Sequence, residues 1–133
     1  VLNWAETTPS KNKSLLINDT LMRERIARTA IINQVGQLLT LRAAWIAATG
    51  GMPGVEGSMA KIYASEEYQK VVGWFQQMAG AEGLLSFGAE DAAASGWIDY
   101  DARHAPVTTI YGGTSEINRN NIAERHLGLP RSR

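Results

Sequence analysis

The chain contains no cysteine among its 133 residues. Disulfide bonds, thiolate nucleophiles and cysteine-ligated metal sites are therefore excluded, and this composition is typical of a reducing cytosol. The chain also lacks an excess of either charge, because 13 Lys and Arg balance 13 Asp and Glu. A balanced chain has no electrostatic footprint for nucleic acid or for an anionic membrane surface.

Long apolar runs and a recognisable leader are missing as well. No segment approaches the roughly 20 consecutive apolar residues that a membrane-spanning helix requires. The first residues, Val1 to Trp4, include neither a methionine nor a charged region ahead of an apolar stretch, so they do not resemble a signal peptide. A start without methionine predicts a piece of a longer protein. The 44% apolar content predicts one domain with a core and excludes disorder.

Helical periodicity dominates the middle of the sequence. Candidate N-caps for a first long helix are Asn18, Asp19 and Thr20. Its apolar stripe consists of Ile31, Val35, Leu38 and Trp45. The segment Gly50–Gly54, which includes Pro53, predicts its end. A second helix is predicted from about Glu56 to Gly80, and two long helices joined by a short turn indicate an antiparallel hairpin. Trp45 and Trp74 lie on or beside the stripes and are predicted to be core residues.

The remaining segments are shorter. Residues 1–18 are predicted to be a loop or the remnant of a preceding helix, ahead of a bundle domain over residues 19–133. Residues 80–102 are rich in small residues and predict a loop with a short helix near 89–94. A further short helix is expected over 102–111, with Pro106 confined to its first turn. The last helix begins after Thr114, a candidate N-cap, and ends at Gly128. No alternating β-branched run occurs, so the fold class is all-α, with a four-helix bundle as the expected architecture.

The most informative local feature is a Gly-Gly turn, Gly112-Gly113, that runs into a helix N-terminus. Glycines allow close backbone approach or a positive φ, and the first helical turn presents free N–H groups and a positive dipole end. Thr114 and Ser115 add hydroxyl groups. Such a turn can bind a phosphate or a carbonyl oxygen. The alternative is an ordinary N-cap after a loop, and the local features alone favour that alternative.

A second candidate lies where the second long helix ends, in Gln77–Gly83. Gln77 could donate a hydrogen bond to a ligand and Gly80 could let the ligand come close, although a glycine C-cap beside a surface glutamine explains the same residues. No metal site is expected, because His104 and His126 are far apart and have no ligand motif around them. Two pairs of adjacent carboxylates, at 66–67 and 90–91, are interpreted as solvated helix surface.

Taken together, these segments resemble a known family. Residues 110–117, Ile-Tyr-Gly-Gly-Thr-Ser-Glu-Ile, and the run that follows them to Arg131 closely resemble the C-terminal signature of acyl-CoA dehydrogenases. Gln77-x-x-Gly80-Ala81-x-Gly83 is similar to a second motif of that family. Met59–Glu66 and Arg103 agree with it in the same order, so that the resemblance covers roughly residues 19–131.

The resemblance implies part of a flavoprotein. The family uses FAD to oxidise an acyl-CoA thioester to the trans-2-enoyl-CoA, and a base removes the α-proton as hydride leaves the β-carbon. Electron-transfer flavoprotein is the implied electron acceptor. Members combine a helical domain, a β-domain and a C-terminal four-helix bundle, usually in homo- or hetero-oligomers. This chain resembles the C-terminal bundle alone, and the form of the signature resembles bacterial members, some of which act on bulky sterol-derived thioesters.

The resemblance also implies a set of site residues. Those expected to contact FAD of the same subunit are Thr114, Ser115 and Glu116. Those expected to contact FAD of a neighbouring subunit are Gln77, Met78, Ala79, Gly80 and Ala81. Tyr111 and Gly113 are expected to border the substrate.

Three departures from the family pattern bear on the function. Gly112 occupies the position at which many members carry the catalytic glutamate, and glycine cannot accept a proton. A base would then come from a helix before Val1, as in members with a small residue at this position. The family's Arg-x-x-Phe-Gly element, which helps to bind a partner's FAD, has no counterpart in residues 6–18, and Ala81 replaces a glycine.

Two functions follow from these observations. The first is the C-terminal domain of an FAD-dependent acyl-CoA dehydrogenase whose base lies outside the chain. The alternative is a non-catalytic or flavin-free helical subunit or interaction domain of a hetero-oligomeric dehydrogenase, which the departures favour. In either case the isolated 133 residues are expected to be inactive, and the protein is expected in the cytoplasm of a bacterium.

Overall fold

The computed structural model describes residues 1–10, 13–52 and 54–131. Within these ranges all regular structure is helical, and Pro9 and Leu15 form one isolated β-bridge. The all-α prediction is therefore confirmed. The α-helices of the described residues are α1 (Leu2–Thr7), α2 (Thr20–Ala48), α3 (Glu56–Ala79), α4 (Trp97–Thr108) and α5 (Ser115–Arg125). Across the described ranges, no helix combines the length and the apolar character that crossing a membrane would require.

Of the three candidate N-caps of the first long helix, Asp19 is the residue that caps it. The carboxylate oxygen Oδ1 of Asp19 accepts a hydrogen bond of 2.9 Å from the backbone N–H of Met22, so Asp19 caps α2. The helix ends at Ala48, and Gly50 adopts a φ of +81° shortly afterwards. The predicted stop therefore coincides with the end of α2, except that Pro53 lies outside the described residues.

Helices α2 and α3 run antiparallel, as the sequence predicts. Arg25 donates a hydrogen bond of 2.7 Å to the backbone carbonyl of Trp74. Further along α2, the side chain of Arg42 lies 3.8 Å from a carboxylate oxygen of Glu56. Residues later in α2 thus lie beside residues earlier in α3, which confirms the antiparallel hairpin.

The apolar stripe of α2 is largely exposed in this chain. Trp45 has 66% of its surface accessible, and Ile31 and Leu38 are also exposed. The prediction that Trp45 is a core residue is wrong, whereas Trp74 is half-buried. Periodicity shows that one face of a helix is apolar, but it does not show which element covers that face.

The segment between α3 and α5 differs most from the prediction. The short helix expected near 89–94 is absent; instead, 3₁₀ turns form at Gly80–Leu84 and Ala93–Gly96. Helix α4 begins at Trp97, earlier than expected, and Pro106 lies in its last turn rather than in its first. A proline near a C-terminal end removes one backbone hydrogen bond with little helix left to disrupt, and α4 ends at Thr108.

The chain divides into two compact units. Unit 1 comprises Val1–Ile31 and Tyr68–Ala105, and unit 2 comprises Ile32–Glu67 and Pro106–Arg133. The core of unit 1 consists of Trp4, Ala5, Leu16, Met22, Phe75, Ala93 and Ile98. Residues of the N-terminal segment therefore contribute to this core, and the domain boundary between residues 18 and 19 stays a prediction.

Candidate functional site

The Gly-Gly turn of unit 2 requires its glycines. Gly112 and Gly113 have φ angles of +68° and +87°, a region that other residues rarely adopt. A Cβ atom at Gly113 would lie 3.1 Å from the amide nitrogen of Asn118. The turn thus brings the backbone to the start of α5 with no side chain at two successive positions.

Thr114 caps α5, as the sequence predicts. Its backbone is extended, with φ −61° and ψ 163°, and its hydroxyl oxygen accepts a hydrogen bond of 3.3 Å from the N–H of Ile117. This bond satisfies one N–H group of the first turn, and the positive end of the helix dipole leaves the turn attractive to negative charge.

Asn118 holds the turn in place, and the sequence interpretation did not single it out. Its side chain is 5% exposed, and its amide nitrogen donates hydrogen bonds of 2.8 Å to the carbonyl of Gly113 and 3.0 Å to that of Thr114. A third carbonyl, that of Gly112, lies 3.5 Å away. An amide one helical turn after an N-cap reaches back to the preceding loop, and this spacing is the signal that could have identified Asn118.

Glu116 lies on the exposed side of the first turn of α5. Its own backbone N–H and the Thr114 hydroxyl donate hydrogen bonds to the carboxylate, and Arg119 and Lys61 add favourable charge; together these lower the pKa of Glu116 below its ordinary value of 4.5. The carboxylate is therefore ionised and only weakly basic at neutral pH. This agrees with a role other than that of the missing base.

Replacing Thr114 with alanine is expected to lower the free energy of unfolding by about 1 kcal/mol, because α5 loses its cap. The pKa of Glu116 should rise towards its ordinary value, since the hydroxyl no longer donates to the carboxylate. A lowered pKa gives stability that is present above the unfolded pKa and lost as the pH falls through the folded one, so the part of the stability that Glu116 loses on acidification should be smaller in Thr114→Ala. Urea unfolding and an NMR titration of the Glu116 side-chain carbonyl carbon measure both effects. Thr114→Ser keeps the hydroxyl and should change neither; an unshifted Glu116 pKa in Thr114→Ala would contradict the assignment.

Two buried polar atoms of the described residues have no hydrogen-bond partner, and both belong to unit 2. They are the side-chain nitrogen of Lys61, on α3, and the hydroxyl oxygen of Ser115, the first residue of α5. Ser115 is 7% exposed, and its backbone N–H donates to the carbonyl of Thr109. A buried polar group without a hydrogen-bond partner is costly, so each of these two groups would be stabilised by a ligand that hydrogen-bonds to it. Sequence patterns do not reveal unpaired atoms, which is why Lys61 was missed.

The second predicted set lies in unit 1, at the end of α3. Gln77 is exposed, and its side-chain oxygen accepts a hydrogen bond of 3.2 Å from Arg25. Met78 and Ala79 are half-buried against the core of unit 1, while Ala81 is exposed. Gly80 follows α3 with a φ of +62°, as expected for a glycine that terminates a helix.

A cavity of about 340 Å³ lies beside this segment within unit 1. Met78, Ala79 and Glu82 line one part of it, and the N-terminal segment supplies Trp4 and Asp19. Of the set Gln77–Ala81, the structure thus places Met78 and Ala79 at a recess in unit 1, whereas the set Tyr111–Glu116 lies at the turn in unit 2. Tyr111 is exposed, and its backbone N–H donates to the carbonyl of Val107.

Comparison with known proteins identifies the family. Residues 1–127 match the family model described as the C-terminal domain of acyl-CoA dehydrogenase. The chain therefore belongs to the acyl-CoA dehydrogenase family, and it corresponds to the C-terminal domain of that family.

Two curated relatives come from Mycobacterium tuberculosis. The acyl-CoA dehydrogenase FadE34 is 32% identical over 113 residues, which make up 85% of this chain and 15% of FadE34. The acyl-CoA dehydrogenase FadE26 is 24% identical over 135 residues, 99% of this chain and 34% of FadE26. The chain thus spans about a third or less of these relatives.

Solved structures share the fold. The ChsE4–ChsE5 complex from Mycobacterium tuberculosis matches with a TM-score of 0.86 and 24% identity over 98% of this chain and 34% of the matched chain. The Tcur3481–Tcur3483 steroid ACAD matches with a TM-score of 0.80 and 26% identity over 87% of this chain and 30% of the matched one. These likenesses confirm the helical fold predicted from the sequence.

Proposed function

We propose that the chain serves as the C-terminal domain of an FAD-dependent acyl-CoA dehydrogenase, in which it contributes cofactor contacts and an oligomer interface. The observation that carries this proposal is the start of α5 in unit 2. A capped helix N-terminus, a buried unpaired hydroxyl at Ser115 and a buried unpaired ammonium at Lys61 belong to the same unit.

The residues present fit an anionic, hydrogen-bonding cofactor. The dipole of α5 favours negative charge at its N-terminus, and the ammonium of Lys61, on which the charge of Glu116 already acts, lacks a hydrogen-bond acceptor. The chain as a whole has no net positive charge, so attraction of an anion depends on these local groups. FAD offers phosphate and ring oxygens that would satisfy both unpaired atoms.

In the proposed assembly each set of residues has one role. Thr114, Ser115 and Glu116 contact the cofactor of the same subunit, and Gln77–Ala81 contact the cofactor of a neighbouring subunit. Tyr111 and Gly113 border the acyl thioester. FAD held by these residues would supply the hydride acceptor for the β-carbon of the substrate, with electron-transfer flavoprotein as the acceptor of its electrons.

The residues of this chain orient the substrate but do not remove its α-proton. Gly112 has no side chain, and the lowered pKa of Glu116 makes its carboxylate a poor proton acceptor. The base therefore comes from outside the chain, and the isolated 133 residues are inactive.

Two of the solved structures suggest a hetero-oligomer as the setting. They are the ChsE4–ChsE5 complex and the Tcur3481–Tcur3483 steroid ACAD, each named for two different subunits. We infer a mixed assembly in the bacterial cytoplasm that acts on a bulky, sterol-derived acyl-CoA. A second candidate, a non-catalytic or flavin-free helical subunit of such an assembly, is favoured by Gly112 and by the absence of an Arg-x-x-Phe-Gly element in residues 6–18.

Ser115→Ala in the assembled protein separates flavin binding from stability. The substitution removes an unpaired hydroxyl, so the thermal midpoint should not fall, while the affinity for FAD should drop about tenfold through the lost hydrogen bond. Flavin absorbance and FAD titration measure the effect. One FAD per subunit supports a complete enzyme, and one per pair of subunits supports a division of labour.

Ser65→Ala is the matched control. Ser65 is also a buried serine of unit 2, but its hydroxyl donates a hydrogen bond of 2.8 Å to the carbonyl of Lys61. Its loss should lower the free energy of unfolding by about 1 kcal/mol and leave the affinity for FAD unchanged. A folded assembly without flavin, or a Ser115→Ala assembly with unchanged affinity, would exclude the proposed cofactor contact.

A further inference from the structure

Unit 1 carries a cluster of four aromatic rings, three of them exposed and that of His104 half-buried, here called the aromatic patch. It consists of Phe87, Trp97, Tyr100 and His104. The ring centres of Phe87 and Trp97 are 5.1 Å apart, and those of Trp97 and Tyr100 are 5.7 Å apart. Tyr100 stacks on His104 at 6.0 Å with an angle of 6° between the rings. Trp97 nevertheless has 57% of its surface accessible, which is unusual for so large an apolar group within a cluster.

The backbone beneath the aromatic patch is held firmly. Ala94 and Ser95 have φ angles of 49° and 56°, a strained conformation for residues other than glycine. Asp99 accepts hydrogen bonds from Ser86 and from Arg103, and Ile98 is anchored in the core. The rings are therefore presented by a fixed support, which lowers the entropy cost of binding a partner.

Negative charge accompanies the aromatic patch. Residues 70–103 contain five carboxylates and two cations, Lys70 and Arg103, of which Arg103 is paired with Asp99. Asp99 and Asp101 are bonded within unit 1, whereas Glu90 and Asp91 are exposed just beyond the turn that contains Phe87. A partner with cations and apolar side chains would suit this surface, because arginine both stacks on aromatic rings and pairs with carboxylates.

The C-terminal segment of the chain has this chemistry. We define it as Arg125–Arg131; it contains two arginines and two leucines. Leu127 is 62% exposed, Leu129 is also exposed, and Arg125 lies at the surface. Arg131 has only a loose contact of 3.6 Å with Glu124 in unit 2. Among the residues that the structure describes, both leucines and both arginines of this segment are exposed.

We propose that the aromatic patch of one copy docks the C-terminal segment of a second copy. A dimer with two-fold symmetry makes this contact twice, since each copy supplies one patch and one segment. Direct contact between two aromatic patches would place carboxylates against carboxylates, and charge repulsion disfavours that arrangement. The inference deepens the oligomer part of the proposed function but does not require flavin, so the two tests can fail separately.

A charge exchange between two variants of the chain tests this docking. Glu90→Lys with Asp91→Lys makes the patch basic, and Arg125→Glu with Arg131→Glu makes the segment acidic. Sedimentation velocity should show self-association of the wild-type chain that weakens with salt, and at least about tenfold weaker self-association for each variant alone. An equimolar mixture should recover dimers, because both contacts of the mixed pair again join opposite charges.

Two further variants test whether the aromatic patch itself is responsible for self-association. Trp97→Ala should weaken self-association about tenfold with all charges intact, as expected for an exposed aromatic anchor. Glu6→Lys with Arg23→Glu reverses two other exposed charges of unit 1 and should leave association unchanged. Three results would each overturn the proposal. The wild-type chain could stay monomeric at millimolar concentration, or the mixture could fail to recover dimers. The third is a dimer that Trp45→Asp abolishes but Trp97→Ala does not.

Discussion

Replacing Asn118 with alanine is expected to lower the free energy of unfolding by about 2 kcal/mol, because a buried donor that serves two carbonyls is lost. The carbonyl of Gly113 loses its 2.8 Å bond, whereas that of Thr114 keeps a second bond of 3.0 Å from the backbone N–H of residue 118. The Gly-Gly turn then loses its connection to α5, and FAD affinity of the assembled protein should fall with it. Urea unfolding and FAD titration measure the two effects.

The isosteric change Asn118→Asp is the sharper test. It keeps the shape of the side chain but replaces a donor with a carboxylate that faces carbonyl oxygens, so it should destabilise more than alanine at neutral pH. Burial without a donor favours the neutral acid and raises the pKa of the new carboxyl group. Stability should therefore recover as the pH falls, until the pH reaches the ordinary aspartate pKa of about 3.9.

Asn120→Ala provides the control for both changes. Asn120 is an exposed residue of the same helix, and its loss should change the free energy of unfolding by no more than about 0.5 kcal/mol. If Asn118→Ala behaved like Asn120→Ala, or if Asn118→Asp lost stability on acidification, the side chain of Asn118 would not hold the turn.

The features that the sequence predicts well depend on local chemistry. The long helices α2 and α3 follow from an apolar period sustained over many residues, and the caps Asp19 and Thr114 follow from side chains that satisfy free N–H groups. These signals are contained within one helical turn or repeated along one helix, so they can be read without knowledge of the tertiary structure.

The features that the sequence does not predict depend on distant contacts. Whether Trp45 is covered is decided by what packs on α2, and a Ser115 hydroxyl or Lys61 ammonium is known to be unpaired only when its neighbours are placed. The sequence predicts too late a start for α4, because proline is typical of a first turn, whereas Pro106 lies in the last turn of α4. Two non-glycine residues with positive φ before Gly96 carry no local signal at all.

Among the described glycines, an added Cβ atom would meet its closest contact at Gly96, and Gly96→Ala is expected to cost about 4 kcal/mol. A Cβ atom there would lie 2.6 Å from the backbone nitrogen of Phe87 and 2.9 Å from its Cα. Backbone atoms cannot rotate away as a side chain can, so the turn of Phe87 must separate from the start of α4. The positive φ of +88° adds a second penalty for any residue with a side chain.

Gly88→Ala distinguishes the steric penalty from the conformational penalty of a positive φ. Gly88 has the same φ of +88°, but nothing lies within 4 Å of its Cβ position. Its replacement should therefore cost only the conformational penalty of about 1 kcal/mol, and the difference between the two variants in urea unfolding measures the steric contact. Because Gly96 holds Phe87 against the support of Trp97, Gly96→Ala should also weaken self-association through the aromatic patch, and Gly88→Ala should not. Equal losses of stability in the two variants would mean that the close approach at Gly96 does not hold these segments together.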